Sequence, residues 1–220
     1  IPVDRGVVEL YRIEENEWLL VRQGLSQFGE FGFYSLAPGA YLIHARGDEF
    51  VHQAFIPTYF VNGVGWQDAY KLDLTGSAEE VKITLIRSQA LSAGQGQLQG
   101  RVVSNEMKEP VVILLKDRIS GRTVKWTVSG EEHAFNFDQL PFGKYTLTVE
   151  KPSQSFSKQV DLNEDLSNLT NIVLKADEIL GRDEALGGGL SVYPTQIEDK
   201  VFLSNQGYTG GDTSVELRSI

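Results

Sequence analysis

Apolar and polar residues alternate along much of this chain, and they do so twice in nearly the same way. In FNFDQLPFGKYTLTVE, residues 135–150, Phe135 and Phe137 alternate with Asn136 and Asp138. Further on, Tyr145, Leu147 and Val149 alternate with Lys144, Thr146, Thr148 and Glu150. Successive strand side chains point to opposite faces, so this period of two predicts a strand, a turn and a strand with one apolar face. More strands are predicted over 98–103, 111–116, 123–128, 156–162 and 171–175, with Gly, Ser, Asn or Asp in most of the gaps. No stretch carries a helical stripe. Short strands at this spacing predict an antiparallel β-sandwich.

The same pattern stands 104 residues earlier as FGFYSLAPGAYLIHA, and without a gap 6–45 lies over 110–149. Val8 and Leu10 then meet Val112 and Leu114, Phe31 and Phe33 meet Phe135 and Phe137, and Tyr41 meets Tyr145. A repeat of about 100 residues implies two whole domains rather than solenoid units. In LAPGAY, Pro38 suits φ near −65° and Gly39 suits a positive φ; LPFGKY shifts its proline back one place. The expected fold is all-β: two tandem sandwiches over 1–88 and 95–176, a glycine-rich linker over 177–190, and a partial β module over 191–220. The second copy opens with a strand in GQLQGRVVS whose counterpart in the first would lie before Ile1. Two explanations stand: the chain is a piece of a longer one, or the first sandwich takes that strand from another chain by β-strand addition at an open edge.

Composition adds a few limits. The 220 residues are 41% hydrophobic and 23% charged, an ordinary globular balance, and apolar runs are too short to span a membrane. A net charge of −10 repels phosphate backbones, so nucleic acid is not an expected partner. With no cysteine there are neither disulfides nor thiolate metal sites.

The phrase F-x-F-x-x-L-x-x-G-x-Y-x-L, with the apolar EPVVILL before it, resembles the carboxypeptidase-regulatory-like modules, which are transthyretin-like or Cna-B-like, Ig-like β-sandwiches. The resemblance covers about 1–86 and 95–175. It implies spacers, stalks and binding modules more than any one activity. Some relatives carry a Lys–Asn isopeptide bond, which needs both residues buried beside an acid.

Two surface features depart from a plain sandwich. The first copy carries an insertion over 55–70, with Asn62-Gly63 as a two-residue hairpin signal. The P-T-Y-F…W-x-D-A phrase resembles a stretch in surface proteins of Bacteroidetes-type bacteria. Tyr59, Phe60, Asn62, Trp66 and Asp68 form a candidate surface for gripping a glycan or a surface protein; the alternative is that the rings cover the end of the sandwich. In the second copy, if Val112 and Leu114 face the core, Ile113 and Leu115 face out, and such a strip needs a cover. It is a candidate contact with a neighbouring domain or molecule.

After residue 175 the chain turns acidic and then glycine-rich, followed by a β-pair in which Val201 and Leu203 alternate on one strand and Val215 and Leu217 on the other. Val192-Tyr193-Pro194, Asp199-Lys200-Val201 and Val215-Glu216-Leu217 resemble the start of the C-terminal sorting domain of type IX secretion, although Thr195-Gln196 replaces the usual Asn-Pro. The resemblance implies the type IX machinery as partner and a secreted or cell-surface location. A third, shortened sandwich is the alternative.

Candidate chemistry is sparse. His44 alternates onto the polar face and reads as solvated; no H-x-x-x-H spacing suggests zinc, and no G-x-S-x-G elbow is present. Asp161, Asn163 and Asp165 sit at alternate positions, as in calcium loops, but without that loop's glycine and distal Glu. Glu14, Glu15 and Glu17 read as a solvated hairpin tip. The expectation is a non-enzymatic spacer of an exported multidomain protein, without cofactor, with an adhesin-like binding module as the alternative.

Overall fold

The computed structural model describes residues 2–75, 80–104 and 109–175, and the backbone of 215–219. It is built from β-strands, and among the described residues helical structure is confined to two 3-10 turns, Trp66–Asp68 and Glu131–His133. The strands are β1 (Val7–Glu14), β2 (Glu17–Leu25), β3 (Glu30–Phe31), β4 (Gly39–Arg46), β5 (Phe55–Ile56), β6 (Thr58–Tyr59), β7 (Leu72–Leu74) and β8 (Lys82–Arg87). There follow β9 (Gly96–Val103), β10 (Val112–Asp117), β11 (Thr123–Val128), β12 (Ala134–Leu140), β13 (Gly143–Glu150), β14 (Phe156–Leu162), β15 (Asn168–Lys175) and β16 (Val215–Ser219).

Four sheets make two sandwiches. In the second, a sheet ordered β11-β10-β13-β14 faces one ordered β12-β9-β15. The first repeats the plan: β2-β1-β4-β6, with β7 also on β4, faces β3-β16-β8-β5. Together β6 and β7 stand where β14 stands in the second copy, because β4 pairs with β6 at His44 and Ala45 and with β7 at Gly39–Tyr41. The insertion therefore splits one edge strand in two. The acidic tip is as expected: Glu14 pairs with Glu17 across Glu15-Asn16, both at positive φ as a type I′ turn requires.

Each sandwich has its own core. Phe31, Tyr41, Ile43, Ile83 and Leu85 anchor the first, and Phe135, Phe137, Tyr145, Leu147 and Val149 the second. The F-x-F pair repeats in space, with ring centroids 6.1 Å apart in both copies. So does the turn. Ser35 and Gln139, 104 residues apart, both take left-handed φ of 56° and 53°. Gly39 has φ 151°.

One face assignment needs correcting. Ile113 and Leu115 lie in the core of the second sandwich, while Val112 and Leu114 point away from it. Ile113 pairs with Val149 and Leu115 with Leu147, just as Leu10 pairs with Ile43. The copies are thus offset by one more residue in this strand than in the following hairpin. With a side-chain period of two, that single slip exchanges the faces.

Candidate functional site at the sandwich junction

The outward strip on β10 does have a cover. Val112, Leu114 and the fully buried Trp126 pack with Ile56, flanked by Val64 and Ile86 from the first sandwich. So an apolar contact strip exists, but on the residues neighbouring Ile113 and Leu115. Apolar area withdrawn from water on both partners drives this seam.

Polar groups of both sandwiches complete the junction. On the outer face of the first, β1 presents Glu9 and Tyr11, and β4 presents Leu42 and His44. The His44 Nδ1 lies 2.9 Å from Glu9 Oε2, and the Tyr11 hydroxyl donates to the same oxygen at 3.1 Å. The His44 ring stacks on Tyr59, with centroids 4.4 Å apart. His44 is 2% exposed, which corrects the expectation of a solvated strand histidine: neighbouring rings and the second sandwich cover this face.

From the second sandwich comes Glu150, 5% exposed at the end of β13. Its Oε1 accepts the Trp66 backbone N–H at 2.8 Å, and its Oε2 accepts the Ser155 hydroxyl at 3.2 Å. Two further hydrogen bonds cross between the sandwiches, and a third ties the segment connecting them to the second. The Trp18 N–H donates to Ser153 Oγ at 3.1 Å, the Val128 N–H to Glu49 Oε2 at 3.1 Å, and the Gln89 N–H to the Thr123 carbonyl at 3.0 Å.

Burial and charge set the protonation of this cluster. Burial pushes the Glu9 carboxyl up, but the hydrogen bond and charge of His44, with Arg46, more than offset it, and its pKa is lowered. Burial dominates at Glu150 and raises its pKa, against the Trp66 N–H and the nearby His44 charge. Tyr11 and Tyr59 are both raised well above 10.0, first by burial and then by the Glu9 and Glu150 charges respectively. The cluster gathers buried polar groups of both sandwiches at one place.

The aromatic arm also lands here. Tyr59 is 0% exposed, so it cannot form part of an open gripping surface. Phe60 packs on the first core and meets Tyr70 edge-on, with centroids 5.6 Å apart. Trp66 packs with Tyr11, Trp18 and Leu42 on the outer face of the first sandwich. Asn62 and Asp68 remain exposed. The turn is one residue longer than expected: Tyr59 and Gly63 bond to each other across Phe60, Val61 and Asn62.

Elsewhere, Asp161 faces Arg118 at 3.0 Å, and Asn163 accepts the Leu166 N–H at 2.9 Å. Near the end of β14, Asp161 is thus taken up by an arginine, and Asn163 ties down the turn that follows that strand. No Lys or Asn is buried among the described residues, so a buried Lys–Asn pair is not formed there. Val192, Tyr193, Pro194, Asp199, Lys200 and Val201 lie outside the described residues. Val215–Ser219 pairs with β8 and β3 of the first sandwich. Among the described residues no helix is long and apolar enough to cross a membrane.

No protein-family model matches the sequence, and no curated protein is similar to it. Among solved structures, BcpA, the major pilin subunit of Bacillus cereus, overlaps 78% of this chain and 59% of its own at 11% identity and a TM-score of 0.30. The Bacillus anthracis TIE protein overlaps 79% of this chain and 31% of its own at 14% identity and a TM-score of 0.29. GBS52, the minor pilin of Streptococcus agalactiae, gives 79% and 83% at 14% identity and 0.28. The chain thus spans less than two thirds of the first two. At such low TM-scores and identities the all-β fold stands on this chain's own sheets.

Proposed function

We propose that this chain is a non-enzymatic structural region of an exported bacterial protein, in which two fused sandwiches act as one stiff spacer. The observation that supports it most directly is the Trp66 N–H to Glu150 bond at 2.8 Å, closing a junction of packed side chains from both domains. Interfaces between domains of one chain are ordinarily modest and mobile. Here the insertion of the first domain supplies the cover, and the outer sheet of the second supplies the apolar strip and a buried acceptor. With its stacking rings turned inward, the arm holds the spacer together rather than gripping a glycan.

The finer reading rests on resemblance. The carboxypeptidase-regulatory-like phrase in both copies suggests a stalk that presents neighbouring domains of a longer parent. The Val192-Tyr193-Pro194 and Asp199-Lys200-Val201 stretches suggest delivery by type IX machinery to the cell surface.

Small-angle scattering on the 220-residue chain tests the spacer. A single particle shape and one cooperative thermal transition are expected; a flexible two-bead ensemble with separate transitions overturns it. Fusing residues 177–220 to the end of a reporter in a type IX-secreting host tests the delivery. Surface exposure of the reporter is expected, and its retention in the periplasm rejects the sorting role.

A further inference from the structure

The two sandwiches differ in one central strand. In the second, β9 lies between β12 and β15, antiparallel to the former and parallel to the latter. The matching place in the first lies between β3 and β8, and the strand in it comes from the far end of the chain. Val215–Ser219 fills it in the opposite direction, parallel to β3 and antiparallel to β8. It is therefore not a displaced copy of β9. It is a different strand accepted by the same gap.

The walls of this gap require an occupant. Ile83 and Leu85 of β8 and Phe31 of β3 are buried in one core cluster with Val3. With nothing between the two strands, their facing N–H and C=O groups have no ladder partner, and an unpaired buried backbone group is costly. The register suits the sequence of the occupant. Val215 stands opposite Leu85 and Leu217 opposite Ile83, the two core residues of β8. Glu216 stands opposite Thr84, and Arg218 opposite both Lys82 and Glu30. A shift of one residue would place Glu216 opposite a core position, so the alternation itself fixes the register.

We propose that the gap between β3 and β8 is a strand-acceptor site and that residues 215–219 of the same chain are its occupant. Attachment through residues 176–214 gives that strand an effective concentration that a free second copy reaches only at high protein concentration. The C-terminal segment is then a structural part of the first domain, so its exposure and the folding of that domain are coupled. This inference stands apart from the spacer role: the slot can be filled whether or not the junction is stiff.

The chain has no cysteine, so a paired-cysteine trap reads the register directly. Thr84→Cys with Glu216→Cys is expected to form an intramolecular disulfide under mild oxidation, at least tenfold faster than Thr84→Cys with Ser219→Cys. Equal rates overturn the slot, and a cross-linked dimer overturns the intramolecular occupant. A second measurement covers poor folding of those variants. By hydrogen exchange on the full chain, interchanging Glu216 and Leu217 is expected to lower protection of amides 82–85 at least tenfold while leaving 112–115 unchanged. A synthetic peptide of residues 211–220 added to that variant is expected to restore it. Unchanged protection at 82–85, or no restoration by the peptide, overturns the proposal.

Discussion

The hydroxyl of Tyr145 donates to the carbonyl of Pro141 at 2.8 Å, four residues back across the turn that joins β12 to β13. Tyr41 makes the same bond to Ala37 at 2.6 Å in the first sandwich. The ring packs in the core while the hydroxyl ties down the turn, which is why tyrosine stands at this place in both copies. Tyr145→Phe and Tyr41→Phe keep the ring and lose the bond. Each is expected to cost about 1 kcal/mol in chemical denaturation without changing the fold. Full retention of stability in both variants would refute a clamping role.

The seam and the core use adjacent residues of β10, and truncation separates them. Ile113→Ala opens a cavity inside the second sandwich and is expected to cost roughly 2–5 kcal/mol of its stability. Leu114→Asp instead sets a charge against Ile56 and Trp126. It is expected to uncouple the sandwiches, splitting one thermal transition into two while the second sandwich keeps its near-native circular dichroism. If Leu114→Asp leaves a single transition, the seam does not couple the domains.

Much of the fold is legible in the sequence because it is local. Strands at 123–128 and 156–162 follow from alternation and their flanking turns, and Phe137, Tyr145 and Leu147 face inward as their period requires. What escaped depends on distant parts of the chain. The single-residue difference that flips β10 lies between that strand and the hairpin after it, since 33 residues separate Leu10 from Ile43 but 32 separate Leu115 from Leu147, and a gapless comparison of the two copies cannot register it. His44 looks solvated because its own strand alternates; only the packing of Tyr59 and the second sandwich buries it. The arm at 55–70 looks like a projecting hairpin because sequence cannot reveal that it interrupts an edge strand. The strand between β3 and β8 comes from the far end of the chain, and no local pattern reveals that pairing.

Glu9 provides a pH test with a definite sign. Its pKa in the folded protein lies below the ordinary 4.5, because the His44 hydrogen bond and charge outweigh burial. Its contribution to stability is therefore present above 4.5 and is lost as pH falls through the lower, folded value. Glu9→Gln is expected to be less stable than the parent at pH 7, by about 1.5–3 kcal/mol for a hydrogen bond to a charged group. That gap should close in strongly acidic solution. Thermal midpoints across pH 2–7 measure it, and a constant gap rules out a stabilising Glu9 carboxylate.

Glu150 carries the opposite sign. Burial raises its pKa, so folding favours its neutral form. What this group contributes is complete below the ordinary 4.5 and is lost as pH rises through the elevated folded value. Glu150→Gln keeps an oxygen for the Trp66 N–H but cannot ionise. The variant is expected to gain on the parent as pH rises from 4 to 8, and thermal midpoints of both proteins over that range decide the matter. A difference that stays flat, or moves the other way, means Glu150 is better solvated than its burial implies. If the gain appears, the carboxylate's role is positional: a buried charge costs stability, and here it fixes where the Trp66 turn docks on the second sandwich. Glu150→Gln keeps the oxygen that accepts from the Trp66 N–H and removes only the buried charge, so the particle dimensions seen by scattering should stay unchanged even as the melting point rises.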